Sequence, residues 1–110
     1  MPPEPSEFEY VTAIAKDHPA SNGHFVGNPI IPGAVIMEHV RIAFAQFRGD
    51  LHLKRMTKVK NLSVLKPGNT LTVRIRSKSE ESFSFSCLDC DDTEIAAGSF
   101  HSTPLAATRQ

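Results

Sequence analysis

Hydrophobic positions along the chain follow two periods. From Phe8 to Ala15, aromatic and β-branched residues alternate approximately with polar ones, which predicts a strand with one buried face. Between Ala34 and Gln46 there is neither Pro nor Gly, and Ala34, Val35, Ile36, Met37, Val40, Ile42, Phe44 and their neighbours leave the stretch apolar nearly all round. That pattern predicts a long helix wrapped by other structure. Pro29 and Pro32 fix φ and bias Asn28 and Ile31 away from helical angles, so the helix starts near Pro32 or Gly33 after a rigid, extended approach. Gly49 is a natural stop, with Arg41 and Arg48 on the favourable side of the helix dipole. Beyond it the period returns to two, and strands are expected over Met56–Leu65, Thr70–Lys78, Ser82–Leu88 and Glu94–His101. Turn chemistry separates them at Lys66-Pro67-Gly68-Asn69, at Glu80-Glu81 and from Asp89 to Thr93. Leu71, Val73 and Ile75 should share one face of their strand, and Phe83, Phe85 and Cys87 one face of the next.

The order strand, helix, four strands joined by short turns points to an α+β protein with an antiparallel sheet covering one long helix. This is the hot-dog arrangement, and a sheet curled around a central helix would account for the helix's broad apolar surface. One domain over 1–110 is expected, with 1–7 and 104–110 as flexible ends. An open sheet of this size leaves an edge that a second copy could extend.

Composition narrows the function classes rather than the fold. Twelve basic and twelve acidic residues cancel, and no stretch is long and apolar enough to cross a membrane. The start, Met1-Pro2-Pro3-Glu4-Pro5-Ser6-Glu7, lacks a basic region followed by an apolar core, so a cytoplasmic location is expected. Cys87 and Cys90 form a CxxC with no second pair to complete a zinc site, and in a strand they would point to opposite faces. No cofactor or metal is expected.

The candidate chemistry lies in Gly23-His24-Phe25-Val26-Gly27-Asn28-Pro29-Ile30-Ile31-Pro32-Gly33 and the acid Glu38 beyond it. A carboxylate in the second turn of an apolar helix should be partly desolvated, and it then needs a partner, a raised pKa or both. His24 lies in the loop leading to the same helix end, where free backbone N–H groups can hold an oxygen carrying negative charge. A base, an acid and an oxyanion donor could thus meet in one place. His18, His39, His52 and His101 have no comparable setting and read as surface or structural residues.

The run from Gly23 to Gly33 followed by Glu38 resembles the signature of bacterial 3-hydroxyacyl-acyl carrier protein dehydratases of the FabZ and FabA type, and Leu65-Lys66-Pro67-Gly68-Asn69-Thr70-Leu71 is similar to the strand and turn that follow the helix in that family. The resemblance implies a hot-dog enzyme that eliminates water from a 3-hydroxyacyl thioester to give the trans-2-enoyl thioester. It implies His24 and Glu38 as the catalytic pair, and Gly33 as the residue whose N–H binds the thioester oxygen. It also implies a homodimer in which the helix-borne acid crosses the interface. Glu rather than Asp at position 38 matches the type that dehydrates without isomerising. Val26 replaces a usual Pro, and His39-Val40-Arg41-Ile42 replaces a usual Ala, apolar, Ala, Gln after the acid. Such an enzyme would meet its substrate on an acyl carrier protein, an acidic partner bearing a phosphopantetheine arm.

Charge is unevenly spread despite the neutral total. Between Arg41 and Lys78 the basic residues face a single acid, Asp50. Within that segment Arg74, Arg76 and Lys78 are the candidate docking residues for an acidic carrier, although Lys58, Lys60, Arg74 and Arg76 could equally be the wet face of an antiparallel sheet. A nucleic-acid binder would interleave aromatic residues among the basic ones for stacking, and this segment shows no such interleaving and no recognisable binding motif. The alternatives to a dehydratase are a hot-dog acyl thioesterase and a non-catalytic module that binds acyl groups or the carrier protein.

Overall fold

The structure is a computed structural model and describes residues 7–14, 31, 33–66 and 68–104. Strand β1 spans Glu7–Ala13, helix α1 Gly33–Phe47, and strands β2 to β5 span Leu51–Asn61, Thr70–Ser77, Ser82–Leu88 and Glu94–Pro104. They form one five-stranded sheet in the order β1-β3-β4-β5-β2, with every pairing antiparallel. This is the α+β hot-dog fold that the element order predicts.

β3 and β4 carry the clearest alternation. Leu71, Val73, Ile75, Phe83, Phe85 and Cys87 are buried on the face turned to α1, and residues between them face outward. Register reinforces this, since Val73 lies opposite Cys87 and Ile75 opposite Phe85. The helix contributes Ile36, Val40, Ala43 and Phe44, a stripe at helical spacing. Phe44 packs edge-on against Phe83 at 4.7 Å and Phe100 at 4.8 Å, while Phe47 stacks on Phe8 at 5.3 Å. The densest part of the core therefore sits under the C-terminal half of the helix.

Three expectations need correction. The helix is buried along one stripe rather than wrapped: Gly33, Ala34, Glu38, Arg41, Ala45 and Gln46 are exposed. One sheet of five strands covers only the face it touches. Next, β2 starts at Leu51 and ends at Asn61, not Met56 to Leu65. Register shifts between Leu53 and Arg55 and between Met56 and Lys58 interrupt its alternation, so the period-two signal underreports the strand. Finally, Glu7 and Pro104 belong to strands and not to loose ends, because Glu7 pairs with Arg76 and Pro104 with Leu51.

A bulge also explains the glycine in β5. Gly98 lies opposite Val59 and Phe85, and a Cβ there would fall 2.0 Å from the Lys58 carbonyl oxygen and 2.9 Å from the Phe85 ring. Only a residue without a side chain lets the bulged β2 approach so closely.

Candidate active site

The chain enters the helix under constraint. Ile31 is buried and its N–H donates to the Leu65 carbonyl at 2.8 Å, which pins the approach two residues before α1 begins. Gly33 opens the helix and is exposed. Among the described residues an added Cβ would meet only Asn61 Oδ1, at 3.5 Å, an ordinary contact. Packing among those residues thus gives no reason for glycine here, whereas close approach of an external group to the backbone would. The first turn carries no acidic side chain, so the positive end of the helix has no carboxylate of its own there.

Glu38 lies in the second turn on the exposed side, its side chain 53% accessible. Arg41, one turn on, grips it with both ends of its guanidinium: Nε donates to Oε1 at 3.1 Å and Nη2 donates to Oε2. Hydrogen bonding from Arg41 is the main reason that the carboxyl is held below its ordinary range, against a smaller opposing effect of desolvation. The expected desolvated acid with a partner, a raised pKa or both has the partner without the burial: the acid is exposed and paired and its pKa is lowered, because its helix face is open and a cation sits three residues away. Beside it, half-buried His39 approaches Tyr10 of β1, with Nδ1 3.4 Å from the phenol oxygen.

His24 and His18 lie outside the described residues. His52 is exposed, and His101 has Nδ1 3.2 Å from Ser82 Oγ on the face away from the helix. Cys87 is buried in β4, which pushes its thiol up to about 12, while Cys90 is exposed in the following turn. The two are free thiols with different surroundings, as their spacing implies. Among the described residues no three His, Cys, Asp or Glu side chains converge as metal ligands, and no helix is long and apolar enough to cross a membrane.

The expected docking residues do not act as a unit. Arg74 pairs with Glu9 at 3.0 Å and Arg76 with Glu7 at 3.1 Å, both across the β1–β3 ladder. Lys78 has no such partner among the described residues and lines a hollow with Lys58 and Lys60. Lys58 and Lys60 belong to the same basic segment but are not among the expected docking residues, since their nearness to Lys78 arises only when β2, β5, β4 and β3 lie side by side. Arg41 was also missed as the partner of Glu38. Its signal was present in the i, i+3 spacing of opposite charges.

Comparison with solved structures returns an uncharacterised protein from Erwinia carotovora subsp. atroseptica at TM-score 0.78 and 24% identity, covering 96% of this chain and 90% of that one. The dehydratase heterocomplex ApeI:P from Xenorhabdus doucetiae follows at TM-score 0.75 and 20% identity, covering 92% and 89%. An R-hydratase from Pseudomonas aeruginosa aligns at TM-score 0.72 and 12% identity, covering 89% and 79%. At these identities the likeness establishes the fold. Comparison with curated protein sequences gives no match. The resemblance to FabZ and FabA holds at the level of hot-dog dehydratases, and the particular family is a different one. The family model of the ApeI-like dehydratases matches residues 2–99, and the chain belongs to that family.

Proposed function

We propose that the protein is a hydro-lyase that converts a 3-hydroxyacyl thioester, carried on an acyl carrier protein, into the trans-2-enoyl thioester. Membership of a dehydratase family supports the reaction class. The observation that carries the assignment of roles is the open first end of α1, where Gly33 and Glu38 stand on an exposed surface with no carboxylate in the first turn. The thioester oxygen accepts a hydrogen bond from the Gly33 N–H, which stabilises the enolate-like charge. His24 removes the C2 proton, Glu38 gives a proton to the C3 hydroxyl as it leaves as water, and the C–H electron pair becomes the C2–C3 double bond.

For Glu38 to donate, it must exchange Arg41 for a drier, less cationic setting. A second copy supplies one. β2 is an outer strand of the sheet; Val59 near its end and Leu62 and Val64 just past it are 40%, 51% and 53% exposed, on either side of Asn61, which meets the Gly33 position at the start of the helix. Pairing two such edges would cover these residues and bring His24 of one protomer to Glu38 of its partner. The similar Xenorhabdus protein was solved as a heterocomplex, so a different chain is the competing occupant of that edge.

Incubation with 3-hydroxyacyl and plain acyl thioesters, with enoyl product and free thiol followed separately, tests the reaction. Enoyl formation is expected. Thiol release without it would make the protein a thioesterase, and neither product would leave a binding module. For the shared site, co-expressed His24→Ala and Glu38→Ala chains should form a mixed dimer with about half of wild-type activity, one intact site of two by symmetry. No recovery would place both groups in one protomer.

A further inference from the structure

The sheet face turned away from α1 is shaped by side-chain length. Along its middle run β4 and β5, whose outward residues Ser84, Ser86, Ala97 and Ser99 are small. Taller side chains flank them: Arg74, Arg76 and Lys78 on the β3 side, and Lys58 and Lys60, opposite Ser99 and Ala97, on β2. Two hollows of about 520 and 320 Å³ share Ser84 and Phe85, so the trough is continuous. Its walls are three strand spacings apart, roughly 14 Å at ~4.8 Å each. An α-helix with its side chains is about 10–12 Å across and fits between them.

Charge divides this trough in two. On the β1 side each arginine is matched by a glutamate of the same sheet, Arg74 by Glu9 and Arg76 by Glu7. On the β2 side Lys58, Lys60 and Lys78 surround the smaller hollow, no carboxylate lines it, and no ion pair holds any of the three among the described residues. Like charges gathered over a polar floor repel one another, and an anionic occupant relieves that repulsion. The lysine row also has a direction. Lys60 immediately precedes Asn61, the residue that meets the Gly33 position at the mouth of α1.

We propose that the β2 side of this trough is the docking surface for an acidic helix of the carrier protein, with Lys58, Lys60 and Lys78 receiving its carboxylates. The proposal rests on the dehydratase reading above. It places the carrier on the outer face and sends the thioester arm past the end of β2, at Asn61, to the helix mouth. Arg74 and Arg76 contribute little, because Glu9 and Glu7 already neutralise them.

The test is a titration of the full-length protein with an acyl carrier protein bearing its phosphopantetheine arm, at low ionic strength. The Lys58→Glu/Lys60→Glu/Lys78→Glu variant should raise Kd about tenfold or more, and added salt should weaken wild-type binding and narrow that gap. The arginine variant that removes both partners of each pair, Arg74→Gln/Arg76→Gln/Glu7→Gln/Glu9→Gln, should change Kd less than about twofold. Dehydration of a small 3-hydroxyacyl thioester by the lysine variant checks that the sheet is intact. An unchanged Kd in the lysine variant, or an equal loss in the arginine variant, overturns the docking surface while leaving the dehydratase reading standing. Lysine-dependent binding of free phosphopantetheine as tight as that of the carrier would also overturn it, since the site would then recognise a phosphate and not an acidic helix. Failure of wild-type protein to dehydrate the small thioester would instead remove the reading beneath it.

Discussion

The two ends of α1 are built to opposite specifications. Under its C-terminal half, Phe44 and Phe47 are locked among Phe8, Phe83 and Phe100, with ring contacts between 4.7 and 6.2 Å. At its N-terminal half Gly33, Ala34, Glu38 and Arg41 face outward, and the residues that would do chemistry are held by the backbone and one ion pair. The difference separates folding from function along a single helix. Aromatic packing at one end fixes where the helix lies on the sheet, so the other end can stay open without losing its position. Openness is also what an incoming substrate or a second copy requires.

The comparison breaks most visibly at Phe44. Phe44→Ala removes a fully buried ring from the centre of the aromatic cluster and should cost about 3–5 kcal/mol. Urea unfolding should register it as a lower midpoint with an unchanged slope. A loss below about 1 kcal/mol would mean that the cluster does not anchor the helix.

At the other end, Gly33→Ala should leave the unfolding free energy within about 0.5 kcal/mol of wild type, since among the described residues an added Cβ meets only Asn61 Oδ1, at ordinary distance. Turnover of the 3-hydroxyacyl thioester should nevertheless fall on the order of 10²-fold, because the methyl group stands where the thioester must approach the N–H. Equal losses of stability and activity would deny the open end its separate role.

The smallest effect is a titration. Arg41 holds the Glu38 carboxyl below its ordinary range, so Arg41→Ala should move its midpoint back up, as read by carbon NMR of the side-chain carboxyl. The sign for stability follows: a lowered folded-state value gives a contribution present above the unfolded-state value and lost as pH falls through the folded one. Wild type and variant should therefore converge in acid. If Arg41 stays beside Glu38 in the active assembly, the alkaline limb of the variant's pH–rate profile should shift to higher pH; a limb that stays in place would mean that Arg41 has already left Glu38 there, as the proposed exchange requires.

Much of the fold was legible from local pattern. Leu71, Val73, Ile75, Phe83, Phe85 and Cys87 alternate in sequence because each faces the same helix, and β3 and β4 were read with nearly correct bounds. β2 was not. Its two register shifts place residues out of phase, and a bulge is set by what the neighbouring strand does rather than by the strand's own residues. The helix misled in the opposite direction, since apolar residues all round state what could be buried, not how much surface is at hand to bury it.

The sequence by itself determined the order of elements, the inward faces of the central strands and the place of Gly33 and Glu38 at one helix end. These depend on periods of two and 3.6 and on where Pro and Gly fall, all of which act within a few residues. Only the tertiary structure decided that Glu38 is exposed and paired with Arg41, that Arg74 and Arg76 are paired with Glu9 and Glu7, and that Lys58, Lys60 and Lys78 share one hollow. A side chain's charge state and its neighbours depend on solvent access and on through-space distance. Those are fixed when strands far apart in sequence come within about 5 Å of each other in the sheet.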